Sequence, residues 1–223
     1  YFRAPFGSTY IEPLRANDSE KITYYTPRIE GFQLGLSYSP DTAQDSNGQP
    51  NRDTANTDLM MAGLNFNRTF GSTSFKASLG YGTVLDGIAG SNTEASAFNA
   101  GIGLGFGGFG MGIGYASYDD SGANDGSGIN AGVNYSSGPW GVSLSYFHGE
   151  KDGISDNAPV ETLVGEAQHN SFMLSAKYAL GPGITANGTI GHTKLKSDDT
   201  ALQNTDAAEA EATYFVVGMR VSF

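Results

Sequence analysis

TYFVVGMRVSF, the stretch from Thr213 to Phe223, places an apolar side chain at every second position. The apolar set is Phe215, Val217, Met219, Val221 and Phe223. Between its members stand Gly218, Arg220 and Ser222. Because successive side chains of a β-strand point to opposite faces, the stretch predicts a strand with one continuously apolar face. That face requires an apolar neighbour, which is either a second protein layer or lipid.

The same period of two recurs in ten earlier stretches, beginning at Glu20. Phe32, Leu34, Leu36 and Tyr38 form one such set, and comparable sets follow at intervals up to residue 190. The pattern therefore predicts eleven strands and an all-β fold. No stretch shows a helical period, and no window approaches the roughly 18 consecutive apolar residues of a membrane helix.

The connections between these strands alternate strictly between short and long. The short ones are rich in Gly and Pro and lie at residues 28–31, 69–72, 107–108, 137–139 and 181–183. The long ones lie at about residues 40–57, 85–93, 119–126, 151–166 and 197–210 and hold most of the carboxylates. Successive connections of an antiparallel up-and-down sheet lie at opposite ends, so one end is expected to carry every long, acidic loop.

Composition excludes several classes of protein and site. The chain has no cysteine, which excludes disulfides and thiolate metal sites. Its net charge of −11 argues against a nucleic-acid partner, because phosphate-binding surfaces are built from clustered Lys and Arg. Tyr1 is followed by no signal segment, so we expect either a processed chain or a fragment.

Aromatic residues and the second face of each strand favour lipid as the apolar neighbour. One set of rings, such as Phe75 and Trp140, lies beside the tight turns, and another, such as Tyr81 and Phe172, lies near the long loops. Two aromatic levels enclosing a Leu, Ile, Val and Ala band are typical of a transmembrane barrel. The opposite face is mostly Gly, Ser and Asn, which line water rather than pack a core.

These residues resemble the general porins of the Gram-negative outer membrane. The stretch from Asn17 to Pro40 is similar to the hairpin that follows the family's pore-constriction loop, and the terminal Phe223 resembles its assembly signal. The resemblance implies a sixteen-stranded barrel, with residues 1–19 as the end of the constriction loop and residues 20–223 as strands six to sixteen. It also implies a homotrimer, contact with outer-membrane lipid and lipopolysaccharide, and the outer-membrane assembly machinery. Because an odd number of strands does not close an antiparallel barrel, two unpaired edges are expected.

Four basic residues are predicted to face the interior of this barrel: Lys21, Lys76, Lys177 and Arg220. A Lys or Arg facing lipid at mid-depth would cost about 2–4 kcal/mol, which favours the water-facing assignment. Such charges could instead pair with a loop folded inside. In porins, basic wall residues face acids on the constriction loop, and the resemblance offers Glu12 for this role, with Arg3 and Arg15 nearby.

The expected function is passive diffusion of small hydrophilic solutes and ions through a water-filled pore, without a cofactor or an enzymatic activity. The net charge slightly favours cations. A solute-specific outer-membrane channel and a soluble β-sandwich binding protein are the alternatives. By strand alternation, His148 and His192 point outward and His169 points inward, which argues against a zinc site. The loop from Asp119 to Gly126 lacks the twelve-residue, helix-flanked arrangement and the final Glu of a calcium-binding loop.

Overall fold

The computed structural model describes residues 19–41, 57–86, 95–119, 125–152, 166–197 and 209–222, which form one β-sheet. Its strands are β1 (Ile22–Tyr25), β2 (Phe32–Asp41), β3 (Thr57–Phe70), β4 (Thr73–Asp86), β5 (Ser96–Phe106), β6 (Phe109–Asp119), β7 (Gly126–Ser137), β8 (Trp140–Asp152), β9 (Glu166–Gly181), β10 (Ile184–Ser197) and β11 (Glu209–Val221). Within these ranges, no helix has the length and apolar character needed to cross a membrane. The predicted all-β, eleven-stranded fold is confirmed.

The strands follow one another in chain order across the sheet, and every neighbouring pair is antiparallel. Among the described residues, strands contact only their neighbours in sequence. This is the predicted up-and-down arrangement. The sheet is therefore open in its described part, with β1 at one edge and β11 at the other. The two edges are unequal, because β1 has 4 residues and β11 has 13.

Strand boundaries differ from the sequence prediction mainly at the long-loop end. The apolar alternation predicts the start of β9 at Phe172, whereas the strand begins at Glu166. Polar residues such as Gln168 and Asn170 continue the ladder by pairing with both β8 and β10. The apolar pattern ends where the lipid-facing band ends, while backbone pairing continues beyond it.

Glycines close the tight turns in backbone conformations that other residues rarely adopt. Gly107 and Gly108 connect β5 to β6 with φ angles of 55° and 85°. Positive φ at both central residues is typical of the two-residue hairpin turn whose twist matches that of the flanking strands. Gly183 also has a positive φ of 73°, in the turn between β9 and β10. These turns fix the register of each hairpin and thus the face to which each side chain points.

Gly108 provides a test of this turn geometry. We expect Gly108→Ala to lower the free energy of unfolding by about 1–2 kcal/mol, since its backbone is left-handed. The added methyl would also lie 2.6 Å from the Ser136 carbonyl oxygen. Urea-dependent unfolding of the native protein in lipid vesicles, followed by circular dichroism, measures the change.

Gly103→Ala is the matched control, because Gly103 has no positive φ and its new methyl would lie 3.6 Å from the Met111 carbonyl oxygen, an ordinary contact. Alanine in an extended strand should be neutral or stabilising by about 0.5–1 kcal/mol. Equal effects of the two substitutions would contradict the role assigned to the turn.

Candidate pore wall

The two faces of the sheet differ in chemistry and in exposure. On the face that we call outer, apolar side chains are exposed, as for Leu144 at 50%, Ile102 at 53% and Leu174 at 53%. On the other face, called inner, the alternating positions of β2 and β5 are largely half-buried although they carry small or polar residues. In a single layer, side chains are shielded most on the concave side. The sheet thus curves with its apolar face outward and its polar face inward.

Aromatic rings of the outer face contact one another at two levels. At the tight-turn end, Phe109 and Tyr135 have ring centroids 4.5 Å apart, and Trp140 and Tyr178 have centroids 4.4 Å apart. At the long-loop end, the ring centroids of Tyr146 and Phe172 are 4.6 Å apart, and those of Phe98 and Tyr115 are 6.4 Å apart. Aromatic rings at two levels of an outward apolar band are the arrangement expected at the two interfaces of a bilayer.

A charged belt lies on the outer face beyond the long-loop aromatic level, on β8, β10 and β11. His148 Nε2 lies 3.1 Å from Glu150 Oε1, and His192 Nε2 lies 3.6 Å from Glu211 Oε1. Lys194 forms an ion pair with Glu209. Phe172 pairs with both Tyr146 and His192 in the ladder, so the belt begins where the aromatic level ends. Its position corresponds to the polar headgroup layer rather than to hydrocarbon.

The inner face carries a broad concavity on β3 to β8 with a volume of about 690 Å³. Its polar lining includes Asn65, Asn99, Asn130, Asn134, Ser78, Ser143, Ser145 and Lys76. Gly101, Gly103, Gly112 and Gly132 form its floor. Amide and hydroxyl groups exposed in this way remain hydrated, since no second layer of the described strands covers this face.

Glycines on the inner face fall into two groups. Several are covered by a longer side chain of the adjacent strand: Asn99 lies over Gly80, Asn134 over Gly110, Lys177 over Gly141, and Tyr214 over Gly191. The glycines of the concavity floor are not covered in this way. A Cβ at Gly101 or Gly103 would meet its nearest described atom at 3.5 or 3.6 Å, an ordinary contact. Backbone crowding therefore does not require glycine at these two positions, and its presence keeps the interior wide.

The structure places the four basic residues predicted for the wall at two different heights. Lys76 and Lys177 line the inner face near the tight turns at 71–72 and 182–183. Arg220 pairs in register with Thr185, close to the second of these turns. Lys21 lies at the other end, because the next residue, Ile22, is in register with Tyr38 near the end of β2. The four positions are not one cluster.

Carboxylates separate along the same axis. Every carboxylate of the described residues except Glu30 lies toward the long-loop end. Glu30 is in the first tight turn, where its Oε2 is 2.6 Å from Arg68 on the outer face. Within the described residues, Lys76, Lys177 and Arg220 make no ion pair. In the part of the inner wall that the structure describes, the tight-turn end thus has an excess of positive charge.

Sequence reasoning missed an apolar cluster on the inner face at the long-loop end. Leu59 and Val84 are 1% and 2% exposed and pack with Ala95 and Ala97, beside Met61 and Tyr118. These side chains occupy inward parity, at which mid-strand residues are polar. The sequence contains an indication of this cluster, because the apolar Leu59 and Met61 stand on either side of the lipid-facing Met60, so that both faces are apolar here. Their burial, however, depends on packing across three strands.

Other predicted site residues are only partly covered by the structure. Arg3, Glu12, Arg15 and Phe223 lie outside the described residues, as does most of the loop considered for calcium. The remaining members of the C-terminal apolar set lie on the outer face of β11: Phe215, Val217, Met219 and Val221. Among the described residues, no group of three or more His, Asp or Glu side chains is arranged to hold a metal ion.

Comparison with known proteins yields a family and a fold. The family described as Gram-negative porin matches residues 2–199. An uncharacterized protein of Rickettsia conorii is 41% identical over 51 residues, which are 23% of this chain and 11% of that protein. OccK1 of Pseudomonas aeruginosa has a TM-score of 0.57 at 16% identity and covers 90% of this chain and 55% of its own. The anion-selective porin of Comamonas acidovorans has a TM-score of 0.54 at 17% identity, with coverages of 91% and 59%.

This chain therefore spans less than two thirds of the length of each of these proteins. At such low identity the solved structures show only a common fold, that of outer-membrane β-barrels. The family match, by contrast, covers most of the chain. The chain belongs to the Gram-negative porin family, whose members lie in the bacterial outer membrane.

Proposed function

We propose that the chain forms part of the wall of a water-filled channel through which small hydrophilic solutes and ions diffuse passively. One observation carries the proposal: along the strands, exposed apolar residues of the outer face alternate with polar residues and glycines of the inner face. Hydrocarbon outside and water inside satisfy both faces of such a sheet, whereas bulk water on both sides would leave the outer face without an apolar neighbour. Family membership points to a channel rather than an enzyme, and we propose no catalytic role.

We further propose that additional strands close the barrel. Unpaired backbone groups at a sheet edge are costly in hydrocarbon, so both edges need partners. The 4 residues of β1 are too few to pair along the 13 residues of β11. Residues 1–19 are proposed as the end of a constriction loop and residues 20–223 as the barrel portion. A homotrimer, contact with lipopolysaccharide through the charged belt, and insertion by the assembly machinery belong to the same proposal.

Single-channel recording in a planar lipid bilayer tests the function. The native protein is expected to give discrete current steps whose conductance rises in proportion to salt concentration, as ions in a wide aqueous pore require. Gly103→Trp should reduce the conductance, because Gly103 lies on the floor of the inner concavity. Ile102→Trp is the matched control, since the adjacent residue is outward and 53% exposed. Absence of current steps, or equal conductance of the two variants, would contradict the proposal.

A solute-specific channel is the second candidate. It is favoured by four asparagines that line a single concavity, Asn65, Asn99, Asn130 and Asn134, since paired amide donors and acceptors suit a hydroxylated solute. Saturation of the flux by one solute would select this candidate. Flux proportional to concentration for solutes of different chemistry would select general diffusion.

A further inference from the structure

The inner cation set, defined as Lys76, Lys177 and Arg220, lies on three strands spread across the sheet. Lys76 is on β4, Lys177 on β9 and Arg220 on β11. Each alternates with outward apolar neighbours, such as Met219 and Val221 on either side of Arg220. Positive charge is therefore distributed around the described wall at one height instead of being concentrated in a single patch.

Two other described basic residues lie at the same end, Arg68 with a carboxylate partner and Arg28 with neutral acceptors that leave its charge in place. Arg68 is on the outer face, pairs with Glu30 at 2.6 Å and lies 5.3 Å from the ring centroid of Phe70. Arg28 donates hydrogen bonds to the Gly31 carbonyl oxygen at 2.7 Å and to Gln33 Oε1 at 2.9 Å. By contrast, no carboxylate of the described residues lies near the inner cation set. Within the described part of the chain, these three charges face the water-filled side without a carboxylate beside them.

The opposite end of the described wall has no comparable excess of charge on its inner face. On the inner face of that end the described charged residues are two of each sign, Asp41, Asp86, Lys21 and Lys151, because Glu150, Glu209, Glu211 and Lys194 belong to the outer charged belt. Fixed charge on the described inner wall is consequently positive at the tight-turn end and balanced at the long-loop end. Low-dielectric walls focus such a field into the water between them.

A water-filled passage with an excess of fixed charge at one end only conducts asymmetrically. A voltage of one sign drives anions out of the positive end into the passage and drives cations toward that end, which repels them, so mobile ions accumulate beside it. The reverse voltage withdraws both kinds of ion and lowers the conductance. The effect requires a screening length comparable with the pore radius. The screening length is about 10 Å at 0.1 M salt but only about 3 Å at 1 M.

We propose that this channel rectifies ionic current, and that Lys76, Lys177 and Arg220 form the positively charged end that makes it do so. The inference rests on the proposed channel function but goes beyond it, because diffusion alone needs no axial asymmetry. The proposal assigns the three residues a shared effect on how the current depends on the sign of the voltage, rather than a contact with any one solute.

The test compares single-channel currents of the native protein at about +100 and −100 mV. In about 0.1 M KCl we expect the larger current to exceed the smaller by at least about 1.5-fold, and in about 1 M KCl we expect the two to become nearly equal. The direction of the asymmetry follows the orientation in which each channel inserts. The ratio of larger to smaller current is therefore the quantity compared between variants.

The triple variant Lys76→Gln, Lys177→Gln, Arg220→Gln should reduce this ratio at low salt toward 1. Arg68→Gln is the matched control, because Arg68 is a cation at the same end on the opposite face, and it should retain the native ratio. The single variants Lys76→Gln and Lys177→Gln should each lower the ratio in part, and they remain informative if the triple variant fails to fold.

Three outcomes would decide against parts of the account. Discrete channels with equal currents at both voltages in low salt would overturn the rectification but leave the channel function intact. A native ratio retained by the triple variant, or lost equally in Arg68→Gln, would overturn the assignment to the inner cation set. Complete absence of channels would overturn the proposed function itself.

Discussion

Replacing Leu144 by arginine is expected to lower the free energy of unfolding in lipid vesicles by about 2–4 kcal/mol, the cost of a cation facing hydrocarbon at mid-depth. Leu144 lies in the middle of β8 on the outer face and is 50% exposed. It pairs with the apolar Val133 and Leu174 on the adjacent strands, so its nearest partners offer no polar group to the new charge. Urea-dependent folding into vesicles measures the loss.

Ser145→Arg is the matched control for this substitution. Ser145 is the next residue of the same strand, but it lines the inner concavity. A guanidinium at this position remains in water, and we expect a change of less than about 1 kcal/mol. If Ser145→Arg destabilised the protein as much as Leu144→Arg, the assignment of lipid and water to the two faces would be wrong.

The second large effect concerns chemical access. Because the chain contains no cysteine, single-cysteine variants carry one reactive thiol. We expect Ser175→Cys to react at least about tenfold faster than Leu174→Cys with a charged, water-soluble methanethiosulfonate, since the reactive thiolate forms in water and not in hydrocarbon. Ser175 is on the inner face, where its hydroxyl lies 2.8 Å from that of Thr189, and Leu174 is 53% exposed on the outer face.

Reaction of the protein in vesicles, followed by mass spectrometry, gives the two rates. A further readout is the single-channel current, which should fall when a bulky reagent attaches to Ser175→Cys and stay constant for Leu174→Cys. The same comparison in denaturant provides the control, because both thiols should then react at similar rates. Equal rates in vesicles would indicate that water reaches both faces.

Most of the fold could be predicted because alternation within one strand is a local property. Phe215, Val217, Met219 and Val221 alternate with Gly218 and Arg220 whatever the neighbouring strand does, so one strand suffices to define two faces. Gly107 and Gly108 similarly mark their turn without reference to the rest of the chain, since a two-residue hairpin turn needs positive φ at both positions.

Features that depend on the relationship between strands could not be predicted in the same way. Lys21 and Lys76 share inward parity, but their heights depend on the register of β1 with β2 and of β4 with its neighbours. Burial of Leu59 depends on Val84 and Ala97, which lie on two other strands. The lengths of the two edge strands are likewise visible only in the folded sheet.

The strict neighbour-to-neighbour order of the sheet has a consequence for how such walls change in size. Each hairpin, for instance β5 and β6 around Gly107 and Gly108, completes its own backbone pairing with the strands immediately beside it. Duplication or loss of one hairpin would change the circumference by two strands and preserve the alternation of direction. Barrels of different diameter can thus arise by the addition or removal of whole hairpins, without rearrangement of the remaining strands.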